Sequence, residues 1–418
     1  MKIFRLEGDF VKSVRTLVTG TIFSQLIVFA LYPIVSRLYS PEENASFSIY
    51  SRIILFVSTL ATARFETAIL LPKRNEHAFS LYRLIIQLVI TTFFISVILS
   101  LIYVFFNSRF TEESFIYLMI PIGLIPLCMM NLGNVWAMRL SDFKLISKIR
   151  VINSLFMNFT NLFLGLVGLG YKGLIFGYIV GVSIPGLFFL RKYHLLKLKY
   201  KDFSTRNRKK IIAKTYVDFP KINLPHTLID LSREIILVFF ILFFYNKNIL
   251  GSYDFSFKIL KLPLTVLGVS IGQVYFQNIA KKRNNNDSIY DITIQTIKNL
   301  FLISIIPFTI LFFWGKELFS FIFGEEWGLA GKYSEIMSPW LLLNLIVSPI
   351  SHLPAVIGKL KLFFYVGLIG SILLIGMFLL PYNYQSISFD YLLYFISYSQ
   401  SVFLLFVLFW FIKLSYKN

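Results

Sequence analysis

Nine charged side chains fall inside stretches that are otherwise apolar: Arg52, Arg64 and Glu66, then Asp230, Arg233 and Glu234, then Asp254, Lys258 and Lys261. An ionisable group at bilayer depth is costly unless it is paired or faces water, so each is a functional candidate. Arg52, Arg64, Arg233, Lys258 and Lys261 are the types that hold an anionic headgroup. Glu66, Asp230, Glu234 and Asp254 are the types that bind a coupling proton or sodium ion, since a desolvated carboxylate is a common relay.

Spacing gives these charges faces. Asn223, His226, Asp230 and Arg233/Glu234 form one i, i+3/i+4 helical stripe, and Asp254, Lys258, Lys261, Thr265, Gly268 and Gly272 form another. Two such stripes on consecutive helices predict a shared polar cavity. At 100° per residue, Glu66 lies about 40° from Arg52 and Arg64 about 120° from it, so Arg52 and Glu66 are expected on one face. The same spacing also suits Asp230–Arg233 and Asp254–Lys258 as internal ion pairs that fix packing. Arg64, near the cytoplasmic end of its helix, is placed to snorkel to the headgroups.

Other chemistry is excluded by what is missing. His226 and His352 are isolated, and Cys128 is the one cysteine, which leaves no metal cluster and no intramolecular disulfide. The nearest approach to a Walker A loop, Gly165 to Lys172, lacks Lys and Ser/Thr at the required places. No HExxH, GxSxG or DxD run occurs, and no loop is large enough for a catalytic domain. The chain is expected to be a transporter without cofactor, not an enzyme.

The elements that carry these residues are membrane spans. The chain is 56% hydrophobic and 15% charged, with 46 Phe and 23 Tyr among 418 residues. Apolar runs of about 20 residues recur, each long enough for a hydrocarbon core about 30 Å thick, and their continuity selects helices over a barrel. Spans are predicted at 13–36, 41–71, 81–106, 113–137, 147–168, 172–190, 221–245, 252–277, 293–313, 334–356, 360–381 and 391–412. Ser40-Pro41-Glu42-Glu43 reads as a capping box opening the second, which Pro72 closes. The first apolar run is too long for a signal peptide and lacks a cleavage site.

Net charge is +20, and its placement decides its meaning. About 30 of the 41 Lys and Arg fall at the termini and in loops on one side, against about 6 on the other. The asymmetry puts both termini in the cytoplasm. The basic charge is therefore an orientation signal and a contact for anionic lipid, not a nucleic-acid footprint. The segment Arg191–Lys221 holds 11 of these bases at the middle of the chain. It divides the expected organisation into an N-terminal six-helix bundle (1–190), a basic cytoplasmic linker (191–220) and a C-terminal six-helix bundle (221–418). Its start, His194–Lys199, is patterned to lie on the membrane surface. Tyr39, Ser46, Phe47, Arg52 and Ile53 align without gaps on Tyr245, Ser252, Tyr253, Lys258 and Ile259, which suggests a parallel internal repeat.

Several runs resemble a known family. Thr19-Gly20-Thr21 with Gln25 and Arg37-Leu38-Tyr39-Ser40-Pro41-Glu42 look like the opening of Wzx-type polysaccharide flippases, members of the multidrug/oligosaccharidyl-lipid/polysaccharide (MOP) exporter superfamily. Arg64-Phe65-Glu66 with Leu71-Pro72-Lys73, Asp218-Phe219-Pro220-Lys221, Tyr253-x4-Lys258 with Leu262-Pro263, and Phe323-Gly324-Glu325-Glu326-Trp327 continue the likeness. Glu43-Asn44-Ala45-Ser46 departs from it, since the family has an acidic residue, an aromatic and a glycine there. The resemblance implies an all-α polytopic membrane protein of about 12 helices, in two pseudo-symmetric six-helix bundles around a central cavity. It implies translocation of an undecaprenyl-diphosphate-linked oligosaccharide, an O-antigen-type repeat unit, from the cytoplasmic to the periplasmic leaflet of the inner membrane. Membrane lipids, and a polysaccharide polymerase and chain-length regulator of the same pathway, would be its partners. The rival within transport is a small-molecule or multidrug exporter of the same superfamily, whose cationic cargo would call for acids where this chain shows more bases.

Overall fold

A computed structural model describes residues 2–107, 110–199, 205–285, 287–378 and 387–416. Among these the regular structure is helical, with no strand. The helices are α1 (Lys2–Ser36), α2 (Pro41–Thr62), α3 (Phe65–Ala68), α4 (Asn75–Phe106), α5 (Glu112–Arg139), α6 (Phe143–Leu166), α7 (Tyr171–Lys199) and α8 (Arg206–Thr215). They continue with α9 (Leu224–Phe244), α10 (Lys247–Asn284), α11 (Tyr290–Phe323), α12 (Gly328–Ile350), α13 (Leu353–Val356), α14 (Leu360–Phe378) and α15 (Phe389–Tyr416). Each predicted span falls on one or two of these helices, with 379–381 of the eleventh span outside the described residues, and among the described residues 9 helices are long and apolar enough to cross a membrane. Phe94, Ile98, Leu99 and Phe105 on α4 and Ile306, Phe313 and Phe321 on α11 stand exposed on the outside. So much outward apolar surface suits lipid and not water.

Local chemistry sets the helix starts. The Ser40 hydroxyl accepts from Glu43 N at 3.3 Å while Glu43 Oε2 accepts from Ser40 N at 2.9 Å, which is the expected capping box. Thr111 and Ser114 cap α5 in the same reciprocal way, and Asn246 caps α10 through Ile249 N.

The second span departs from the expectation of one helix to Pro72. Helix α2 stops at Thr62, because Ala63 (φ 47°) and Arg64 (φ 59°) are both left-handed, and a short α3 follows. Two consecutive L-residues in that region are strained, so the surroundings must impose the break. Arg139, from the end of α5, supplies part of that constraint. Its guanidinium donates to Ile69 O at 2.8 Å, Pro72 O at 2.7 Å and Asn75 Oδ1 at 3.0 Å, clamping the chain just beyond α3.

The chain forms two compact units, Met1–Phe239 and Phe240–Asn418. In the first, α7 lies against α5 and α6, α1 packs on α6, and α2 sits among α4, α5 and α7. One apolar cluster joins Phe65, Ile69, Phe79, Leu81, Cys128 and Trp136. The basic segment expected as a linker carries α8, which packs on α4 through buried Ile212. The backbone of His194–Lys199 continues α7 as helix. In the second unit α12 is central, touching α10, α11 and α15. A Cβ on Gly331 would fall 2.4 Å from Gly315 O, so two glycines let α11 and α12 meet backbone to backbone. Trp327, buried, stacks on Phe255 at 3.7 Å between ring centroids, with Phe323 edge-on at 5.1 Å. The Phe323–Trp327 run is thus an aromatic lock between α10 and the turn before α12.

Candidate functional site

The break at Ala63–Arg64 builds the most polar site of the first unit. Arg64 Nε donates to Asn223 Oδ1 at 2.9 Å, and its Nη1 pairs with Glu66 Oε1 at 3.1 Å. Asn223 ends a π-helical turn, Phe219–Asn223, that precedes α9. Such turns widen the backbone, and they recur at functional sites. The Thr227 hydroxyl donates to Asn223 O at 2.9 Å and Oδ1 at 3.3 Å, fixing the amide that receives Arg64.

Arg64, Asn223 and Thr227 line a cavity of about 670 Å³, together with Asp218, Ile222, His226 and Asp230. His226 Nδ1 lies 3.6 Å from Asp230 Oδ2 at its exposed rim. The His226–Asp230 contact runs along the same stripe as the expected Asp230–Arg233 pair and one turn nearer the cavity, so His226 is not isolated. The guanidinium of Arg64 keeps Nη2 without a protein hydrogen bond among the described residues, so one edge remains for an anion.

Glu66 is 8% exposed, and its Oε2 has no hydrogen-bond partner among the described residues. It sits at the start of α3, beside the Phe65–Trp136 cluster. The expectation that Glu66 shares a face with Arg52 fails because α2 does not continue to Glu66. The left-handed pair resets the helical phase, and Glu66 bonds to Arg64 instead. Arg52 stays within α2, donating one turn back to the carbonyl and hydroxyl of Ser48. Further along α9, Arg233 is half-buried and Glu234 exposed, and neither lines the cavity.

In the second unit Lys258 Nζ pairs with Asp254 Oδ2 at 2.7 Å, with the Asp254 side chain 2% exposed. Lys261 Nζ lies 5.3 Å from the centroid of the Phe257 ring. Of the sequence-derived candidates, Arg64 and Asp230 therefore line one cavity, Glu66 is paired with that Arg64, and Asp254 and Lys258 meet as a pair. Asp218 and Thr227 were not among the candidates. The Asp-Phe-Pro run and the i, i+4 step from Asn223 to Thr227 are the signals that point to them.

Outside the membrane helices, burial and then Glu43 push the Tyr39 phenol up. That keeps it a neutral donor, and it bonds Asn161 O at 2.6 Å.

Comparison with known proteins agrees with this architecture. A MATE-family multidrug resistance transporter of the MOP superfamily, in its inward-facing conformation, superposes with a TM-score of 0.66 at 15% identity, covering 95% of this chain and 99% of that one. The lipid II flippase MurJ, in its inward closed conformation, gives 0.63 at 16% identity, covering 96% and 89%. At such identities the likeness shows the fold, which is that of the MOP transporters. No curated protein sequence matches the chain. The family described as "Polysaccharide biosynthesis protein" matches residues 34–330, more than half of the 418, and the chain belongs to that family.

Proposed function

We propose that this protein is a flippase that moves an undecaprenyl-diphosphate-linked oligosaccharide from the cytoplasmic to the periplasmic leaflet of the bacterial inner membrane. The observation that carries the reading is Arg64: a guanidinium held by Asn223 and Glu66, with a free edge on a polar cavity in a lipid-facing helical bundle. A diphosphate is the group such an edge receives best, because two anionic oxygens meet a planar fork of N–H donors. Membership of a polysaccharide biosynthesis family supports a lipid-linked sugar as the rest of the cargo. Arg52, Arg233, Lys258 and Lys261 are further candidates for the anionic headgroup. Transport proceeds by alternating access, with the cytoplasmic termini fixed by the basic loops and with a polymerase and a chain-length regulator of the same pathway downstream.

The step is coupled to a proton or a sodium ion. Glu66 is the first candidate, since its Oε2 is buried without a hydrogen-bond partner among the described residues and its Oε1 already holds Arg64. Asp230, Glu234 and Asp254 follow. Occupation of Glu66 by a cation would loosen its hold on Arg64 and so alter the anion's seat. Transport that is indifferent to dissipating both gradients would falsify the coupling.

The flippase reading is tested in a strain lacking the protein. Surface polysaccharide should fall, the lipid-linked repeat unit should accumulate in the inner membrane, and re-expression should restore both. Normal surface polymer, with no paralogue covering the loss, would point to a small-molecule exporter instead.

A further inference from the structure

A second cavity, of about 450 Å³, lies within the second unit between α10 and α12. It exists because α10 carries glycine where it faces α12. Among the described residues a Cβ at Gly268 would meet Ser348 Oγ alone, at 3.7 Å, whereas Gly272 lies close on His352 Nε2 and Pro349, which a Cβ would approach to 3.4 Å. A larger residue at Gly268 would take up part of the space. Its size falls in the range of ligand pockets, roughly 300–1,000 Å³.

The walls differ in kind. Phe257 and Trp340 form an aromatic side, with ring centroids 6.1 Å apart and planes 37° apart. Lys261 is poised over Phe257, at the mouth. Asn344 and Ser348 follow Trp340 along the same face of α12, at i+4 and i+8, with His352 just beyond the helix end and Ser348 and His352 exposed. No carboxylate lines the cavity among the described residues.

That combination selects among ligands. A lipid tail would strand the amide, hydroxyl and imidazole without partners, each a substantial penalty. An organic cation would meet Lys261 on the aromatic face it needs and would find no acid. A sugar chain fits both kinds of surface. Its C–H face lies on the aromatic rings, and its hydroxyls, donors and acceptors at once, match Asn344, Ser348 and His352.

We propose that this pocket seats a short stretch of the transported glycan, its successive rings met along α12 by Asn344, Ser348 and His352 and one ring stacked on Phe257 and Trp340. Lys261 at the mouth takes a hydroxyl or an acidic substituent of the same ring. The proposal rests on the flippase reading and extends it: the glycan is read by its own pocket, apart from the diphosphate at Arg64.

Cys128, the one cysteine, is fully buried, so Ser348→Cys offers a single accessible thiol for maleimide. The full chain carrying Ser348→Cys would be placed in lipid nanodiscs. Three probes would be added: the lipid-linked oligosaccharide extracted from the deletion strain, the oligosaccharide released from it, and sugar-free undecaprenyl diphosphate. At ten times its Kd, the lipid-linked unit should slow labelling about tenfold by mass action. The released oligosaccharide should protect at higher concentration, and undecaprenyl diphosphate should not protect. Adding Trp340→Ala should abolish protection. Should that variant not fold, Asn344→Ala should raise the protecting concentration about fivefold, the loss of one hydrogen bond.

Equal protection by sugar-free undecaprenyl diphosphate, no protection by any probe, or protection unchanged by Trp340→Ala or Asn344→Ala would overturn the pocket. The flippase reading would stand through any of these if the deletion strain still accumulates its lipid-linked unit.

Discussion

At the start of α2, Tyr39 donates to Asn161 O at 2.6 Å, Ser40 caps the helix, and Arg52 reaches back one turn to Ser48. At the start of α10, Tyr245 donates to Ile387 O at 3.1 Å, Asn246 caps the helix, and Lys258 reaches back one turn to Asp254. The repeat suggested by Tyr39 and Tyr245 is thus matched by the local role of each residue. Beyond these points the helices diverge. The first breaks at Ala63–Arg64 and turns a guanidinium toward Asn223, whereas the second continues to Asn284 and leaves space at Gly268. One starting pattern yields a charged cavity by strain and an aromatic, hydroxyl-bearing cavity by omission of side chains.

The largest difference between the two should appear at the matched cations. Lys258→Ala removes the ammonium from a carboxylate that is 2% exposed, and breaking such a pair costs about 3 kcal/mol. Arg52→Ala removes its donations to the neutral carbonyl and hydroxyl of Ser48, a loss of about 1 kcal/mol. Denaturation of the purified protein in detergent measures both. Pairing Lys258→Ala with Asp254→Asn should recover much of the loss. Equal costs at the two positions would mean that the resemblance of α2 and α10 extends to their energetics.

Next in size is Arg64→Ala, which deletes the bonds to Glu66 and Asn223 together. A loss of about 2 kcal/mol in stability is expected from charge-assisted hydrogen bonds. Surface polysaccharide should drop further than stability alone explains, because the anion's seat is gone. Arg64→Lys, a point charge without the fork, should regain stability more than transport. Transport that follows only the amount of folded protein would reduce Arg64 to a packing residue.

Thr227→Val tests how far that seat depends on positioning. The substitution keeps the volume and removes the hydroxyl that holds Asn223, so about 1 kcal/mol should be lost. Transport at limiting substrate should fall while Asn223 still reaches Arg64 part of the time. An unchanged variant would show that the π-helical turn alone aims the amide.

How much of this was legible follows from where each cause lies along the chain. The caps at Ser40 and Asn246, the apolar runs and the stripe from Asn223 to Asp230 depend on neighbours within a few residues, and all were readable. The break in α2 was not, because nothing in Thr62-Ala63-Arg64-Phe65 favours left-handed backbone. It is held by Arg139 from α5 and by Asn223, residues distant in sequence. Arg233 was the expected partner of Asp230 and His226 was expected to be isolated, yet His226, one turn before Asp230, is the residue found beside it. The aromatic pocket needed α12 opposite Gly268 of α10, a contact that no local pattern states.

The smallest expected effect is the most direct test of the strained break. An L-residue in left-handed geometry costs roughly 1–2 kcal/mol, and glycine there gives back roughly 0.5–1 kcal/mol as lost backbone entropy. Ala63→Gly should therefore leave stability unchanged or raise it by about 1 kcal/mol, with transport preserved. Ala63→Val cannot adopt φ 47° without severe clash, so it should push α2 to continue and swing Arg64 away from Asn223. Loss of transport in the valine variant alone would show that the break is what presents Arg64. Equal transport in both would mean that Arg64 reaches its cavity from an unbroken helix, and the contrast between α2 and α10 would then carry no functional weight.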